Sequence, residues 1–166
     1  ENTTSLLSKE HTHYVANVMR LKRGSNINFF NKEGEWVSEI VFLEKDRIEV
    51  KFLNRLKKSV QTSSMELAIC LVKKNPMEII LQKATELGVS KAIPCLTEYT
   101  DIKSVNIKNL QLNAIEAVEQ SERLDIPKIE EPILLVSLLN SWPEDRYLVY
   151  FDEKHNQEKS IIESLL

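Results

Sequence analysis

The sequence has few cysteines and glycines and no long apolar run. Its 166 residues include two cysteines and three glycines. No apolar stretch reaches the roughly 18 residues that indicate a membrane-spanning helix, and no segment resembles a signal peptide. Cys70 and Cys95 both lie in apolar stretches, where a buried and reduced thiol is the usual state. These features predict a cytoplasmic protein with neither a disulfide framework nor a cysteine metal site.

The charge is distributed unevenly along the chain. Residues 1–63 hold 11 Lys and Arg against 8 Asp and Glu, whereas residues 64–166 hold 11 against 17, so the net charges are +3 and −6. Composition changes within "NRLKKSVQTSSMEL", a basic and hydroxyl-rich stretch that is typical of a linker. We therefore predict two domains, residues 1–63 and residues 64–166.

The first domain is predicted to be mostly β. Three short runs at 26–30, 35–43 and 47–53 alternate or carry β-branched and aromatic residues, and "NKEG" and "EKD" separate them. Such breaks suit tight connections between antiparallel strands. The pattern predicts a small β-barrel or curled sheet that is suited to binding.

A helix is predicted ahead of these strands. Ser8 has the side chain of an N-cap, and Gly24 suits the C′ position at the other end. Apolar residues recur between them at helical spacing: Tyr14, Val15, Val18 and Met19. His11 and His13 are two residues apart and face away from each other, which argues against a metal pair.

A basic cluster, Arg20, Lys22 and Arg23, follows this helix, and Lys57 and Lys58 lie at the far end of the domain. Cations at a helix C-terminus complement its dipole. Basic clusters on a positive domain are equally typical of phosphate contacts in RNA binding. Both interpretations stay open.

The second domain alternates strand and helix. Strands are predicted at 65–73, 89–98 and 145–153, and helices at 75–88, 109–123, 136–142 and 157–166. Leu112, Ile115 and Val118 are expected on the buried stripe of the 109–123 helix. The alternation predicts a parallel sheet, whose ligands sit beyond the carboxyl ends of the strands. That rule places Thr97–Tyr99 and Phe151–Glu153 near any site.

Three segments resemble one known family. "HYVANVMRLKRGSNINFF", "QKATELGVSKAIPCLTE" and "EAVEQSERLDIPKI" follow each other in the order seen in the ribosomal RNA small subunit methyltransferase E family. The resemblance spans nearly the whole chain. It implies an α/β protein with an N-terminal PUA-like RNA-binding β-barrel and a SPOUT-type methyltransferase domain with a trefoil knot. The implied reaction transfers a methyl group from S-adenosylmethionine to N3 of a uridine in 16S ribosomal RNA of the small subunit.

The resemblance also implies roles for individual residues. The family's Glu-Gln-x-x-Arg segment corresponds to Glu119, Gln120 and Arg123, and we expect Gln120 and Arg123 to share a helix face and bind RNA. Alternatively, Arg123 pairs with Glu119 and only stabilises the helix end. Lys83 and Glu86 favour a helix-stabilising or interface pair. No residue is assigned a catalytic role.

The cofactor site is expected at the third predicted strand. Phe151, Asp152 and Glu153 are assigned to the cofactor because of their position beyond the strand end. The alternative is that the two carboxylates form a solvated strand end.

The sequence departs from the family in two respects. Tyr99 stands where the family usually has an arginine. The glycine-rich loop that forms the knot and most of the cofactor pocket has no counterpart among Gly24, Gly34 and Gly88. The resemblance therefore implies an incomplete C-terminal domain, so we expect the 166-residue chain to be inactive alone and a homodimer to form only in full-length members.

Two other classes of function remain open. One is a non-catalytic RNA-binding protein with a degenerate α/β domain. The other is an unrelated cytosolic α/β enzyme whose basic first domain is incidental.

Overall fold

A computed structural model of the chain describes residues 3–58 and 63–151. These residues form two four-stranded sheets, one antiparallel and one parallel. No described helix is long and apolar enough to cross a membrane.

The first sheet contains the three predicted strands and one more. Its strands are β1 (Thr4–Leu6), β2 (Asn26–Asn31), β3 (Gly34–Glu44) and β4 (Arg47–Lys58), in the order β1-β4-β3-β2. All neighbours are antiparallel, which confirms the strand prediction, although β4 continues beyond residue 53 to Lys58. β1 was not predicted because its three exposed residues carry no alternating pattern.

The predicted helix of the first domain begins correctly but ends differently. It comprises α1 (Lys9–His13) and a π-helical segment, Tyr14–Val18. Ser8 is the N-cap, since its hydroxyl accepts a hydrogen bond from the backbone N–H of His11 at 3.1 Å. The helix ends at Val18 with Met19 as its C-cap, so the C′ residue is Arg20, whose φ is +54°, and Leu21 N–H donates to the Val15 carbonyl at 3.1 Å. The assignment of Gly24 as the C′ residue is therefore wrong.

The predicted apolar face of this helix is also partly wrong. Val15 is buried, whereas Tyr14, Val18 and Met19 are exposed. A π-helix bonds residue i to i+5 rather than i+4, so it turns less per residue and side chains at α-helical spacing drift off one face. Val15 packs against the sheet with the core of this domain: Ile40, Ile48 and Val50.

The second sheet follows the predicted strand–helix alternation. Its elements are β5 (Glu66–Cys70), α2 (Lys74–Glu86), β6 (Lys91–Leu96), α3 (Ile107–Ser121), β7 (Lys128–Ile129), β8 (Ile133–Leu134) and α4 (Leu135–Asn140). β6 pairs in parallel with β5, β7 and β8. The parallel sheet is confirmed.

The buried stripe of α3 differs from the predicted one. Leu112 is 57% exposed and Ile115 is half-buried, although Val118 is buried as expected. The buried positions are Leu110, Ala114, Ala117 and Val118. Small alanine side chains let α3 approach α2 closely, and alanine was not counted in the predicted stripe.

The third predicted strand is absent over its described part. Residues 145–151 form no strand, and β7 and β8 lie on the edge of β6 opposite β5. These two strands have two residues each, too few for a period-2 pattern in the sequence. Asp152, Glu153 and the predicted helix at 157–166 lie outside the described residues.

The two cysteines differ in burial. Cys95 is buried as predicted, but Cys70 is exposed. Ile69 and Leu71 point into the core with α2 and α3, so the alternation of a strand places Cys70 on the opposite face. An apolar run alone does not show which face of a strand is covered.

Gly34 offers a test of the first sheet. A Cβ at Gly34 would lie 2.4 Å from the carbonyl oxygen of Lys57, whereas one at Gly24 would meet nothing within 4 Å. Gly34→Ala should lower the free energy of unfolding by about 3 kcal/mol through overpacking. Gly24→Ala should cost about 1 kcal/mol for its left-handed backbone. Urea unfolding of both variants measures the difference, and equal losses would contradict the close approach of β3 and β4.

Candidate functional site

The segment from Glu119 to Pro127 contains the end of α3 and the residues that follow it. The helix ends at Ser121, because Glu122 adopts a left-handed conformation with φ of +55°. Arg123 therefore lies beyond the helix, and its N–H donates to the Val118 carbonyl at 3.1 Å. The prediction that Gln120 and Arg123 share a helix face is wrong. Gln120 lies on the exposed last turn.

The Arg123 side chain points inward and joins two helix ends. Nη1 donates to the carbonyl oxygens of Thr85 and, at 3.2 Å, of Val89. Nε donates to Oδ1 of Asp125 at 3.2 Å, and Nη2 donates to Oδ2 of the same carboxylate. The side chain is only 13% exposed. We call this arrangement the Arg123 clasp.

The clasp gives Arg123 a role that neither interpretation of the sequence foresaw. Carbonyl groups at a helix C-terminus attract cations, and Arg123 supplies a cation at the end of α2. Its charged partner is Asp125, not Glu119. Four hydrogen bonds occupy the guanidinium, so the structure gives no support to an RNA contact by Arg123. The signal available in the sequence was the Arg-x-Asp spacing just before Pro127.

The clasp also directs the chain into the sheet. Pro127 is buried, and the next residue begins β7, where Lys128 N–H donates to the Ser90 carbonyl at 3.0 Å. The same short segment therefore ends α3, closes the end of α2 and starts a strand beside β6.

An ion pair connects the end of α3 to the first sheet. Nζ of Lys57 lies 2.8 Å from Oε2 of Glu122 and 3.3 Å from Oε2 of Glu35. Hydrogen bonds with Glu122 and Glu35 raise the pKa of Lys57, and the hydrogen bond from Lys57 lowers the pKa of Glu122. Lys57 and Glu122 therefore stay charged near neutral pH. This pair links β4 to the left-handed residue beside Gln120.

The basic cluster is exposed. Arg20, Lys22 and Arg23 all lie on the surface loop between the π-helical segment and β2. Lys22 N–H donates to the hydroxyl of Ser25 at 3.1 Å, which orders the loop. Lys57 pairs with two carboxylates, whereas the side chains of the basic cluster and of Lys58 are exposed.

The carboxyl edge of the parallel sheet carries a short polar turn. After β6, the Thr97 N–H donates to the hydroxyl of Thr100 at 3.0 Å, which shapes the turn that presents Glu98 and Tyr99. Tyr99 is 90% exposed. Phe151 is also exposed, while Asp152 and Glu153 lie outside the described residues.

A cleft of about 440 Å³ lies at the other end of the strands. Its charged centre is Glu66, which accepts hydrogen bonds from Lys91 at 2.8 Å and from Arg146. Trp142 and Ile133 form part of its apolar wall. The sequence did not indicate this cleft, because its lining comes from strand starts and from a loop about 80 residues downstream.

Family comparisons cover both parts of the chain. Residues 7–53 match the RNA methyltransferase PUA domain, and residues 60–166 match the RNA methyltransferase domain. The chain is 35% identical to ribosomal RNA small subunit methyltransferase E of Rickettsia conorii over 95% of its length, and 26% identical to that of Bacillus subtilis over 95%. It spans 64% of the Rickettsia protein and 65% of the Bacillus protein.

Solved structures agree with this assignment. A methyltransferase from Legionella pneumophila in complex with SAM superimposes with a TM-score of 0.76 at 26% identity, over 87% of this chain and 63% of that one. Ribosomal RNA small subunit methyltransferase E from Neisseria gonorrhoeae, bound to S-adenosyl methionine, gives 0.76 at 25% identity, over 86% and 62%.

The fold and these matches define a class: RNA methyltransferases with an N-terminal PUA-like domain and a SPOUT-type α/β domain. Within this class, the chain belongs to the ribosomal RNA small subunit methyltransferase E family.

The Arg123 clasp generates a stability prediction. Arg123→Met should lower the free energy of unfolding by about 3 kcal/mol, because it leaves Asp125 and two helix-end carbonyls without their donor. Lys83→Met is the control, since Lys83 makes an exposed pair with Glu86 at 2.9 Å and should cost less than about 1 kcal/mol. The predicted Lys83–Glu86 pair is present within α2, and its stabilising effect stays a prediction. Equal losses in chemical denaturation would contradict the clasp.

Glu66 generates a prediction about pH. Burial tends to raise the pKa of Glu66, but hydrogen bonds from Lys91 and Arg146 outweigh it and hold the pKa below its ordinary value. A lowered folded-state pKa stabilises the protein above the unfolded-state pKa, and this stability is lost as the pH falls through the folded-state value. Glu66→Gln should therefore reduce the loss of stability below about pH 4.5. Thermal unfolding between pH 3 and 7 measures this, and an unchanged profile would contradict it.

Proposed function

We propose that the protein acts in S-adenosylmethionine-dependent methylation of N3 of a uridine in 16S ribosomal RNA. The observation that carries the proposal is the superposition of both sheets, in one chain, on relatives solved with this cofactor. The names of the Rickettsia and Bacillus relatives give the class of RNA. The N3 position rests on the family resemblance.

The first domain is proposed to bind the RNA. Residues 1–63 carry a net charge of +3, and the exposed loop of Arg20, Lys22 and Arg23 concentrates it. Backbone phosphates attract such clusters regardless of sequence. Gln120 is proposed as an additional contact, since its exposed amide can both donate to and accept from a base edge.

The Lys57–Glu122 pair is proposed to orient the two domains toward one RNA. It joins the end of β4 to the residue two positions after Gln120, so it fixes the approach of the basic domain to residues 64–166. Misplacement by about 1 Å can cost roughly 100-fold in rate when catalysis depends on positioning. Orientation by such a pair therefore has a functional consequence, although both charges are exposed.

The cofactor site is proposed at the carboxyl edge of the parallel sheet, near Thr97–Tyr99 and Phe151. Asp152 and Glu153 retain their proposed role there. The described residues at this edge do not enclose a cofactor, because Tyr99 and Phe151 are mostly exposed and the cleft lies at the opposite strand ends. A small-molecule site normally buries most of its ligand, so the edge supplies only part of the pocket.

The bound cofactor would supply an electrophilic methyl group. The chain's own contribution is to hold the RNA: the basic loop contacts phosphates, and the Lys57–Glu122 pair sets the angle between domains. The proposed setting is the cytoplasm, with the small ribosomal subunit as partner and a homodimer as the assembly.

The basic loop generates a prediction about RNA binding. Replacing Arg20, Lys22 and Arg23 by Gln should weaken binding to 16S ribosomal RNA and reduce the slope of log K against log salt by about 2 to 3. Replacing exposed Lys9, Lys32 and Lys45 by Gln removes the same charge from elsewhere on the domain. Filter binding between 50 and 300 mM salt compares the two variants. Equal slopes would contradict the assignment of the loop.

The enzymatic proposal is tested in cells. Deleting the gene should remove one N3-methyluridine from 16S ribosomal RNA, and re-expression of the gene should restore it. Mass spectrometry of nuclease-digested RNA measures the modified nucleoside. Unchanged N3-methyluridine in the deletion strain would overturn the proposed activity, and RNA binding without any methylation would favour a non-catalytic RNA-binding protein.

A further inference from the structure

The two cysteines are direct neighbours across the parallel ladder. Cys70 is the last residue of β5, and its register partner on β6 is Cys95. The ladder is intact at this point, since the Leu71 N–H donates to the Cys95 carbonyl at 2.9 Å. Register partners point to the same face of a sheet. Both side chains therefore project from the face opposite α2 and α3.

The spacing of the ladder suits a covalent link. Neighbouring strands lie about 4.7–4.9 Å apart, and the Cα atoms of disulfides are usually about 4.4–6.8 Å apart. This Cα spacing therefore permits a bond between the two sulfurs without separation of the strands.

The two thiols have unequal access to solvent. Cys70 is exposed, whereas Cys95 is completely buried. Burial, together with the neighbouring Cys70 sulfur, raises the pKa of Cys95. The Cys95 sulfur lies 3.3 Å from the Ile93 carbonyl oxygen and can donate its proton there. An oxidant from solvent therefore reaches Cys70 first, and Cys95 lies beside it as a protonated thiol.

We propose that Cys70 and Cys95 are a peroxide-sensitive modification site that closes to a reversible cross-strand disulfide. The deprotonated sulfur of Cys70 attacks a hydroperoxide, the O–O bond breaks, and Cys70 becomes a sulfenic acid as the peroxide is reduced to hydroxide or alcohol. The sulfur of Cys95 then attacks that of Cys70. The S–S bond forms, the S–O bond breaks, and the departing hydroxide takes the Cys95 proton and leaves as water.

The disulfide would form at the edge of the sheet where ligands are expected. Cys70 lies at the carboxyl end of β5, on the edge where parallel sheets hold their ligands. A disulfide there would tie β5 to β6 beside the edge that the proposed function assigns to the cofactor. The inference itself rests on the ladder and the burial, and it stands whether or not the methyltransferase proposal holds.

The test is oxidation of the folded, reduced chain by dilute hydrogen peroxide, followed by thiol blocking and mass spectrometry. The wild type should lose about 2 Da, give one non-reduced peptide that joins Cys70 to Cys95, and return to its starting mass with dithiothreitol. Cys95→Ser should stop at a Cys70 sulfenic acid that dimedone traps. Cys70→Ser should stay unmodified at the same dose, because Cys95 is buried.

The wild-type peptide map decides the question even if a variant fails to fold. A dimedone adduct on wild-type Cys70 without the linked peptide would overturn the proposal. So would a Cys70–Cys70 link between two chains, seen as a dimer on a non-reducing gel.

Discussion

The hydrogen bonds of one guanidinium hold the end of α2 against the segment that connects α3 to β7. Arg123 reaches the Thr85 carbonyl in the last turn of α2 and the Val89 carbonyl just beyond that helix, and it pairs with Asp125 after α3. Without this cation, Asp125 and these two carbonyl oxygens would each lose a charged hydrogen-bond donor in a mostly buried place, which is costly. A single side chain in the connection from α3 to β7 therefore also contacts the end of α2.

The residues of the Glu-Gln-x-x-Arg segment have different structural positions in this chain. Its arginine stabilises the fold from inside, while its amide, Gln120, faces solvent on the last turn of α3. Glu122, between them, has a positive φ and extends to Lys57 of the first sheet. One short segment therefore holds a buried anchor, an exposed polar group and the link between domains.

Much of this fold could be predicted from the sequence because its strands and helices have local signals. The alternation of β2–β4, the Ser8 cap and the strand–helix order of the second domain were all predicted. Predictions failed where tertiary contacts, and not the local sequence, determine which residues are buried or paired. The π-helical turn moved Val18 off the core face, alanines rather than Leu112 faced α2, and residues 145–151 formed no strand. The direction of Arg123 depended on the left-handed backbone of Glu122, which no local pattern requires of a glutamate.

The central prediction is that Arg123 acts through the fold and not through contact with RNA. The direct measurement is the salt dependence of 16S ribosomal RNA binding by Arg123→Met and by Lys22→Met, at a temperature where circular dichroism shows both to be folded. Each phosphate contact contributes about 0.7 to 0.9 to the slope of log K against log salt. The account predicts an unchanged slope for Arg123→Met and a reduced one for Lys22→Met. A slope reduced equally in both variants would contradict it.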